Sequence, residues 1–419
     1  MPSPSRYSDA MAVTERTWWE RPGLEVRQGR LMIAGRDAEA IAREHGTPLY
    51  VHDLERVGEQ ARALESALEG AGLRGLVRLA LKAQREPKLL AWLREHAPDV
   101  GVDVCSPGEV RWALDQGWAA NDISYTGTNV SDRDLDVILD AGVHLNVDLL
   151  SQLERVGSRA PGSRVGVRVN PRIGASWEGG GATPYTGERP TKFGLFAEQL
   201  DDALEISRRH RLVIDTVHVH VGDGYLSDGL PVFDETIRRV AEMTGRLQAA
   251  GCPIVEVNTG GGLGVPQRPE DRPLDVVTWA AVLASHLGPL DVTVATEPGD
   301  FLVKECAIHL AEVVTVEDRE GTRFIGLDTG WNAMCEHFVY RAPLDLVLCR
   351  AVDAEPEGHV TISGHINEGN DLFAEDYPFP TAEEGDIVAA LNVGSYNGSM
   401  TSVHCLREPA GTVFLPERI

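Results

Sequence analysis

Between residues 76 and 296 one arrangement of polarity keeps returning: a short, almost wholly apolar run, then a longer stretch whose apolar residues fall three and four positions apart. The runs cover 76–82, 100–105, 122–126, 144–148, 164–169, 215–221, 254–258 and 292–296, and apolar runs this short predict strands buried on both faces. The stretches between them, such as Ser106 to Gln116 and Glu198 to His210, carry helical spacing behind capping residues. Eight strand-then-helix units in about 220 residues predict an α/β fold closed as a (β/α)8 TIM barrel rather than an open sheet. Ahead of them, the strand-like 48–52 leads into a helix over roughly 54–69.

After Glu297 the pattern changes. Runs at 301–316, 322–328, 343–350, 358–363, 386–392 and 411–415 alternate with turns and carry little helical spacing, so a separate C-terminal β-domain, sandwich-like or barrel-like, is expected. The early run 24–33 is expected to lend it a strand. The chain therefore divides into an N-terminal segment 1–45, a barrel 46–300 and a β-domain 301–419. Residues 173–191, rich in Gly, Ser, Pro and Thr, form the longest expected loop. No internal repeat is visible beyond the strand–helix unit.

Composition narrows the functional classes. A hydrophobic content of 42% is that of a globular protein. The formal charge of −25 disfavours nucleic acid and anionic membrane as partners, since both would repel it. No apolar run is long enough to span a bilayer, and residues 1–20 lack the apolar segment of a secretory signal. The six cysteines, at 105, 252, 306, 335, 349 and 405, follow no metal or disulfide spacing. A cytoplasmic enzyme without a metal is expected.

Lysine is nearly absent: Lys82, Lys88, Lys192 and Lys304 are the only four. Lys82 closes the first predicted strand, where an amine can form an imine, which the permanently protonated guanidinium of arginine cannot do. In the same register His220 closes the sixth strand, Thr259 to Gly264 follow the seventh, and Glu297 closes the eighth. Barrel enzymes build their sites at these C-terminal strand ends. Alone, His220 would read as a satisfied core histidine and Glu297 as a salt-bridged carboxylate. Together they suit one cofactor, pyridoxal phosphate: an amine to bind the aldehyde, glycine amides for the phosphate, an imidazole to stack on the ring, and a carboxylate to keep the pyridine nitrogen protonated.

Motifs in order along the chain strengthen this. They are Thr47-Pro-Leu-Tyr-Val, Ala80-Leu-Lys-Ala, Gly101-Val-Asp-Val-Cys-Ser-Pro-Gly-Glu109, Gly127-Thr-Asn129, Arg168-Val-Asn-Pro, Lys192-Phe-Gly, His220-Val-Gly, Gly260-Gly-Gly-Leu-Gly, Glu297-Pro-Gly, Asn367-Glu-Gly-Asn-Asp371 and Gly394-Ser-Tyr396. In these the chain resembles the pyridoxal-phosphate decarboxylases of the diaminopimelate and ornithine decarboxylase family, most of all diaminopimelate decarboxylase-like proteins, with an alanine racemase-like barrel and a C-terminal β-domain. The resemblance implies that Lys82 is the Schiff-base lysine, Glu297 the pyridine-nitrogen partner and His220 the stacking residue. It implies that Gly222, Gly260, Gly261, Gly262, Gly299 and Tyr396 are cofactor contacts. It also implies a head-to-tail homodimer with shared active sites, in which the segment Asn367 to Asp371 reaches the neighbour's site and Glu368 and Asp371 read the substrate.

Several positions depart from the family pattern. The family's catalytic cysteine is replaced by Asn367, and an amide is not a practical acid; a water held by Asn367, His365 or Tyr396 would then protonate Cα. A phosphate-binding serine is replaced by Asp223, and an arginine by Asp300. Where diaminopimelate decarboxylases carry a carboxylate-binding arginine stands Glu336, with Tyr340 kept and Arg341 close by. The closing Tyr-Asn of the family appears as His404-Cys405. Asp300, Tyr340, Arg341, Glu368 and Asp371 are thus candidate substrate contacts in an altered pocket. The expected activity is decarboxylation of an amino acid, free or carrier-tethered, in a specialised biosynthetic step. A racemase acting on the Cα proton, or a non-catalytic binding protein, is the alternative.

Overall fold

The computed structural model describes residues 17–176 and 190–416, so most of the loop expected at 173–191 lies outside the described residues. The described residues form two compact units. One gathers those of Gly58–Val265 and Arg272–Leu302; the other gathers those of Met1–Val57, Pro266–Asp271 and Val303–Ile419. Among the described residues no helix is long and apolar enough to cross a membrane.

In the first unit eight parallel strands close into a barrel. They are Gly75–Ala80, Gly101–Val104, Ile123–Thr126, His144–Val147, Arg164–Arg168, Val213–His218, Glu256–Asn258 and Thr293–Thr296. These are referred to below as the first to the eighth strand. Each pairs with its neighbour in the chain, and the eighth returns to the first through Val294 beside Gly75. Each coincides with a predicted run, since a strand buried on both faces has few polar positions to blur the pattern. Caps fix where the intervening helices begin. The Ser106 hydroxyl accepts from the Glu109 amide ahead of helix Pro107–Asp115. Ser131 and Asp134 form a capping box on helix Asp132–Ala141, which ends on Gly142 in a left-handed conformation.

What fills this barrel is unusual. Branched apolar residues normally pack the interior, yet here Arg78, Asp103, Ser124, Asn146, His218, Asn258 and Glu297 are all buried. Polar groups in such a place are costly to bury unless they are hydrogen-bonded. Arg78 therefore forks onto Glu256 at 2.7 and 2.9 Å, and Asn146 donates to Ser124 and Thr126.

The second unit is β-rich, as the chain beyond Glu297 predicts. Its spine is the strand Ala307–Arg319, which pairs antiparallel with Thr322–Leu327 at one end and with Ile387–Ala390 and Leu49–Asp53 at the other. Leu346–Leu348, Gly358–Ser363 and Leu372–Phe379 extend the sheet. Gly411–Leu415 runs parallel to Leu49–Asp53. Three details differ from the sequence reading. The stretch expected as strand from 301 begins as a short helix, Asp300–Val303, and a 3-10 turn, Lys304–Cys306, before the strand starts. Leu372–Phe379 escaped detection because Glu375, Asp376 and Pro378 interrupt its alternation. The run 24–33 folds as a hairpin, Leu24–Arg27 with Arg30–Ile33, in a three-stranded sheet of its own. The strand that the N-terminal region gives the larger sheet is Leu49–Asp53. Leu31, Ile41, Val51, Ile308 and Ile387 share one core there, and Tyr50, Val313, Ile325, Ile362 and Phe373 another. Each such side chain contributes about 1.5–3 kcal/mol by burial.

Candidate active site

At the C-terminal end of the barrel the backbone places the predicted residues of the first unit together. Lys82 lies two residues past the first strand, in a turn fixed by Leu81 donating to the Asp103 carbonyl at 2.9 Å and Ala80 donating to the Pro298 carbonyl at 3.2 Å. Its charge acts on Asp103, Cys105 and His220, so the amine stands among these three groups. His220 lies two residues past the sixth strand. Burial first, and then the cations Lys82 and Arg168, hold its imidazole well below its usual pKa, so the ring is neutral and flat-faced at physiological pH.

Glu297, one residue past the eighth strand, is buried and heavily hydrogen-bonded. His218 Nε2 lies 2.9 Å from its Oε2, the Ser124 hydroxyl donates to Oε1 at 3.1 Å, and the Asn258 amide donates to Oε1 as well. Burial alone would raise its pKa. The attraction and hydrogen bond of His218, the charge of Arg78 and the Asn258 bond outweigh it and bring the value down to about 2. Glu297 is thus an anion. Asp103 beside it has the opposite fate: burial, and then the Glu297 charge, push its carboxyl well above the usual range despite the Lys82 cation.

The glycine loop after the seventh strand is built on backbone contact. A Cβ on Gly260 would meet the Val219 carbonyl oxygen, one on Gly261 that of Glu297, and one on Gly262 that of Gly222, each at 2.4 Å. Gly260 and Gly262 also hold φ of +69° and +89°. Side chains are excluded, which leaves bare backbone in the loop, with the Gly260 amide held by Asn258 Oδ1 at 2.9 Å. Gly222 pairs with Ala175, and Asp223 with Ser176, in a short parallel ladder. Gly299 is buried just ahead of Asp300, which opens the short helix.

These residues fit pyridoxal phosphate on chemical grounds. A lysine amine, a neutral imidazole, a carboxylate held ionised and a side-chain-free glycine backbone are the donor set that aldehyde, ring face, pyridinium and phosphate require.

The second unit holds the remaining predicted residues. Asn367 and Glu368 are exposed, and Glu368 Oε1 lies 3.1 Å from His404 Nε2. The Asp371 carboxylate is buried and accepts from the Trp331 and Ile366 amides at 2.8 and 2.7 Å, so it secures two turns of its own unit. Glu336 is buried in an ion pair with Lys304 and is bonded on both sides by Asn397. Tyr340 and Tyr396 meet edge to face, ring centres 6.0 Å apart, and Tyr396 and the exposed Arg341 have φ of +53° and +57°. His365 Nε2 lies 3.3 Å from Asn332 Oδ1.

Four participants were missed as site residues: Asp103, Ser124, His218 and Asn258. Strand alternation carried the signal for two of them. His218 precedes His220 by two positions and Asn258 precedes Gly260 by two, so each shares the inward face of its strand. Lys304, rare by type, was legible as unusual, but its pairing with Glu336 joins positions that only the fold relates.

The family model described as pyridoxal-dependent decarboxylase, pyridoxal binding domain, matches residues 54–304. A diaminopimelate decarboxylase of Methanothermobacter thermautotrophicus is 34% identical over 94% of this chain and 93% of its own. One from Streptomyces coelicolor is 30% identical over 96% of this chain and 89% of its own. Among solved structures, the diaminopimelate decarboxylase of Helicobacter pylori complexed with L-lysine superposes with a TM-score of 0.82 at 25% identity, covering 91% of this chain and 94% of that one.

Proposed function

Because the chain belongs to the pyridoxal-dependent decarboxylase family, we propose that it releases carbon dioxide from a diamino acid related to diaminopimelate or lysine, using Lys82, His220 and Glu297 around the cofactor. Bound pyridoxal phosphate supplies the electron sink for the charge left at Cα. Lys82 is the residue whose amine would hold the cofactor's aldehyde. Glu297, ionised and bonded by His218, Ser124 and Asn258, would hold a proton on the ring nitrogen. His220, its pKa held well below the usual imidazole value by burial, would offer the ring a face without adding charge. The glycines at 261 and 262 would present amides to the phosphate, the Gly260 amide being held by Asn258 Oδ1. The observation that carries this reading is the buried anion Glu297 at the same barrel end as the lysine amine.

The departure of Glu336 from the family's arginine bears on the choice of substrate. Glu336 stands in an ion pair with Lys304, so it adds no net charge, and a substrate with fewer distal anionic groups than diaminopimelate is favoured. Such a preference fits a specialised biosynthetic step. A homodimer, with Glu368 of the exposed segment serving the neighbouring copy, completes the proposal; light scattering would read the dimer mass. A cytoplasmic setting accords with six cysteines that follow no disulfide spacing.

The test is the protein reconstituted with the cofactor and offered meso-diaminopimelate, lysine, ornithine and amidated diamino acids, with evolved carbon dioxide measured beside deuterium uptake at Cα in heavy water. Carbon dioxide from a diamino acid is expected. Deuterium uptake without carbon dioxide would make the protein a racemase. Cofactor bound to Lys82 without turnover of any of them would make it a binding protein.

A further inference from the structure

Glu297 is the most elaborately supported side chain in the barrel, and its supports come from three different strands. Ser124 belongs to the third, His218 ends the sixth and Asn258 ends the seventh. All three are essentially inaccessible to solvent. Asn258 does two things at once. Its Nδ2 donates to Glu297 while its Oδ1 accepts from the Gly260 amide at 2.9 Å, so the first glycine of the loop and the carboxylate share one amide. The Glu297 amide returns a bond to the Gly260 carbonyl at 2.7 Å.

His218 is the most telling of the three. Among the described residues its Nδ1 has no hydrogen-bond partner, whereas Nε2 lies 2.9 Å from Glu297 Oε2. The carboxylate alone therefore dictates where the ring proton sits: on Nε2, donated to Glu297. A buried imidazole with a single polar engagement serves that engagement. Other charged and titratable groups acting on Glu297 include Arg78, Asp103 and His220. Arg78 is already committed to Glu256. His218 is thus the direct donor that orients Oε2.

We propose that His218 is a positioning residue for the reaction: with Asn258 and Ser124 it locks the rotamer and the ionised state of Glu297, and through Asn258 and Gly260 it sets that carboxylate in register with the phosphate-binding loop. The inference rests on Glu297 being the ring-nitrogen partner and goes beyond it by naming what holds Glu297 there. A carboxylate with no such donor would rotate or take up a proton, and its hold on a ring N–H would fall.

Two amide variants isolate the donor from the bulk. In His218→Gln the Nε2 amide reaches the position of the imidazole Nε2; in His218→Asn the chain is one methylene too short. Pyridoxal phosphate is titrated into each apoprotein, with the visible absorption band and the dissociation constant as readouts, and Lys82 modification is checked by borohydride reduction and peptide mass. The expected result is near-normal affinity and spectrum for Gln. For Asn the expected affinity is about 10-fold or more weaker, the loss that follows removal of a hydrogen bond to a charged group, with an altered band and Lys82 still modified. Equal spectra and affinities for wild type, Gln and Asn, with Lys82 modified in all, overturn the inference and leave the reading of Glu297 standing. Absence of cofactor from Lys82 in the wild type overturns the reading itself. Should His218→Asn fail to fold, Ser124→Ala, which removes another donor to the same carboxylate, is read in the same way, and an unchanged spectrum and affinity there counts against the lock.

Discussion

Asp103 and Glu297 are two carboxyl groups a short distance apart in one barrel, and the difference between them is their company. Glu297 has three donors, which favour its charge; Asp103 has burial and an anionic neighbour, which favour its proton. The two pull stability in opposite directions with pH. The depressed Glu297 stabilises the fold above its ordinary value of 4.5, and that contribution is lost as pH falls toward about 2. The raised Asp103 binds its proton more tightly when folded, so its cost to the fold grows as pH climbs above its ordinary 3.8 toward the higher folded value. Asp103→Asn, which imposes the neutral form, is therefore expected to melt a few degrees above wild type at pH 7, with the gain shrinking near pH 4. Thermal unfolding across that range checks it, and a gain independent of pH, or a loss, would contradict the assignment. Neither role could be read from the sequence. Asp103 lies inside a recognisable motif, but its pKa is set by a residue nearly two hundred positions away, which only barrel closure brings alongside.

At the scale of elements, the strand ends are where backbone chemistry and site chemistry merge. The glycine loop is legible in the sequence because glycine runs after strands are rare, yet its purpose of packing against other carbonyls is not. Gly261→Ala would bring a Cβ to 2.4 Å from the Glu297 carbonyl oxygen. The expected cost is about 1–3 kcal/mol in stability, together with looser cofactor binding, because the displaced backbone carries Glu297. Calorimetry and a cofactor titration on the same variant read both, and an unchanged Tm would show that the loop has slack. The second unit offers a parallel case in Lys304 and Glu336. Lys304→Met removes the cation from a buried carboxylate and is expected to cost about 3–5 kcal/mol. Adding Glu336→Leu should recover most of that loss, as replacing a whole buried pair usually does. Urea unfolding of the single and double variants decides, and a double variant no better than the single would mean that the pair does more than neutralise itself. Strands were read most accurately where both faces are buried. They were missed where an edge strand such as Leu372–Phe379 is half solvated and its charges obscure the period.

Across the whole molecule, eight strand–helix repeats make the barrel legible in the sequence, because length, period and capping all agree on one architecture. The C-terminal sheet was legible as β, but its strand order was not. The spine Ala307–Arg319 recruits Leu49–Asp53 from the other end of the chain, and no local pattern announces a pairing across that separation. The site was legible in the same proportion. Residues with distinctive chemistry stood out: a rare lysine, a histidine and a glutamate at strand ends, and a glycine loop. Those that act only through another residue, His218 and Asn258 above all, did not.

The account depends on the amine of Lys82 carrying the cofactor. Protein purified with pyridoxal phosphate supplied, reduced with borohydride and digested, should yield one modified peptide, the one containing Lys82, and Lys82→Ala should yield none and lose the visible absorption band. A colourless wild-type protein with that peptide unmodified, or an alanine variant with an unchanged spectrum, would contradict it.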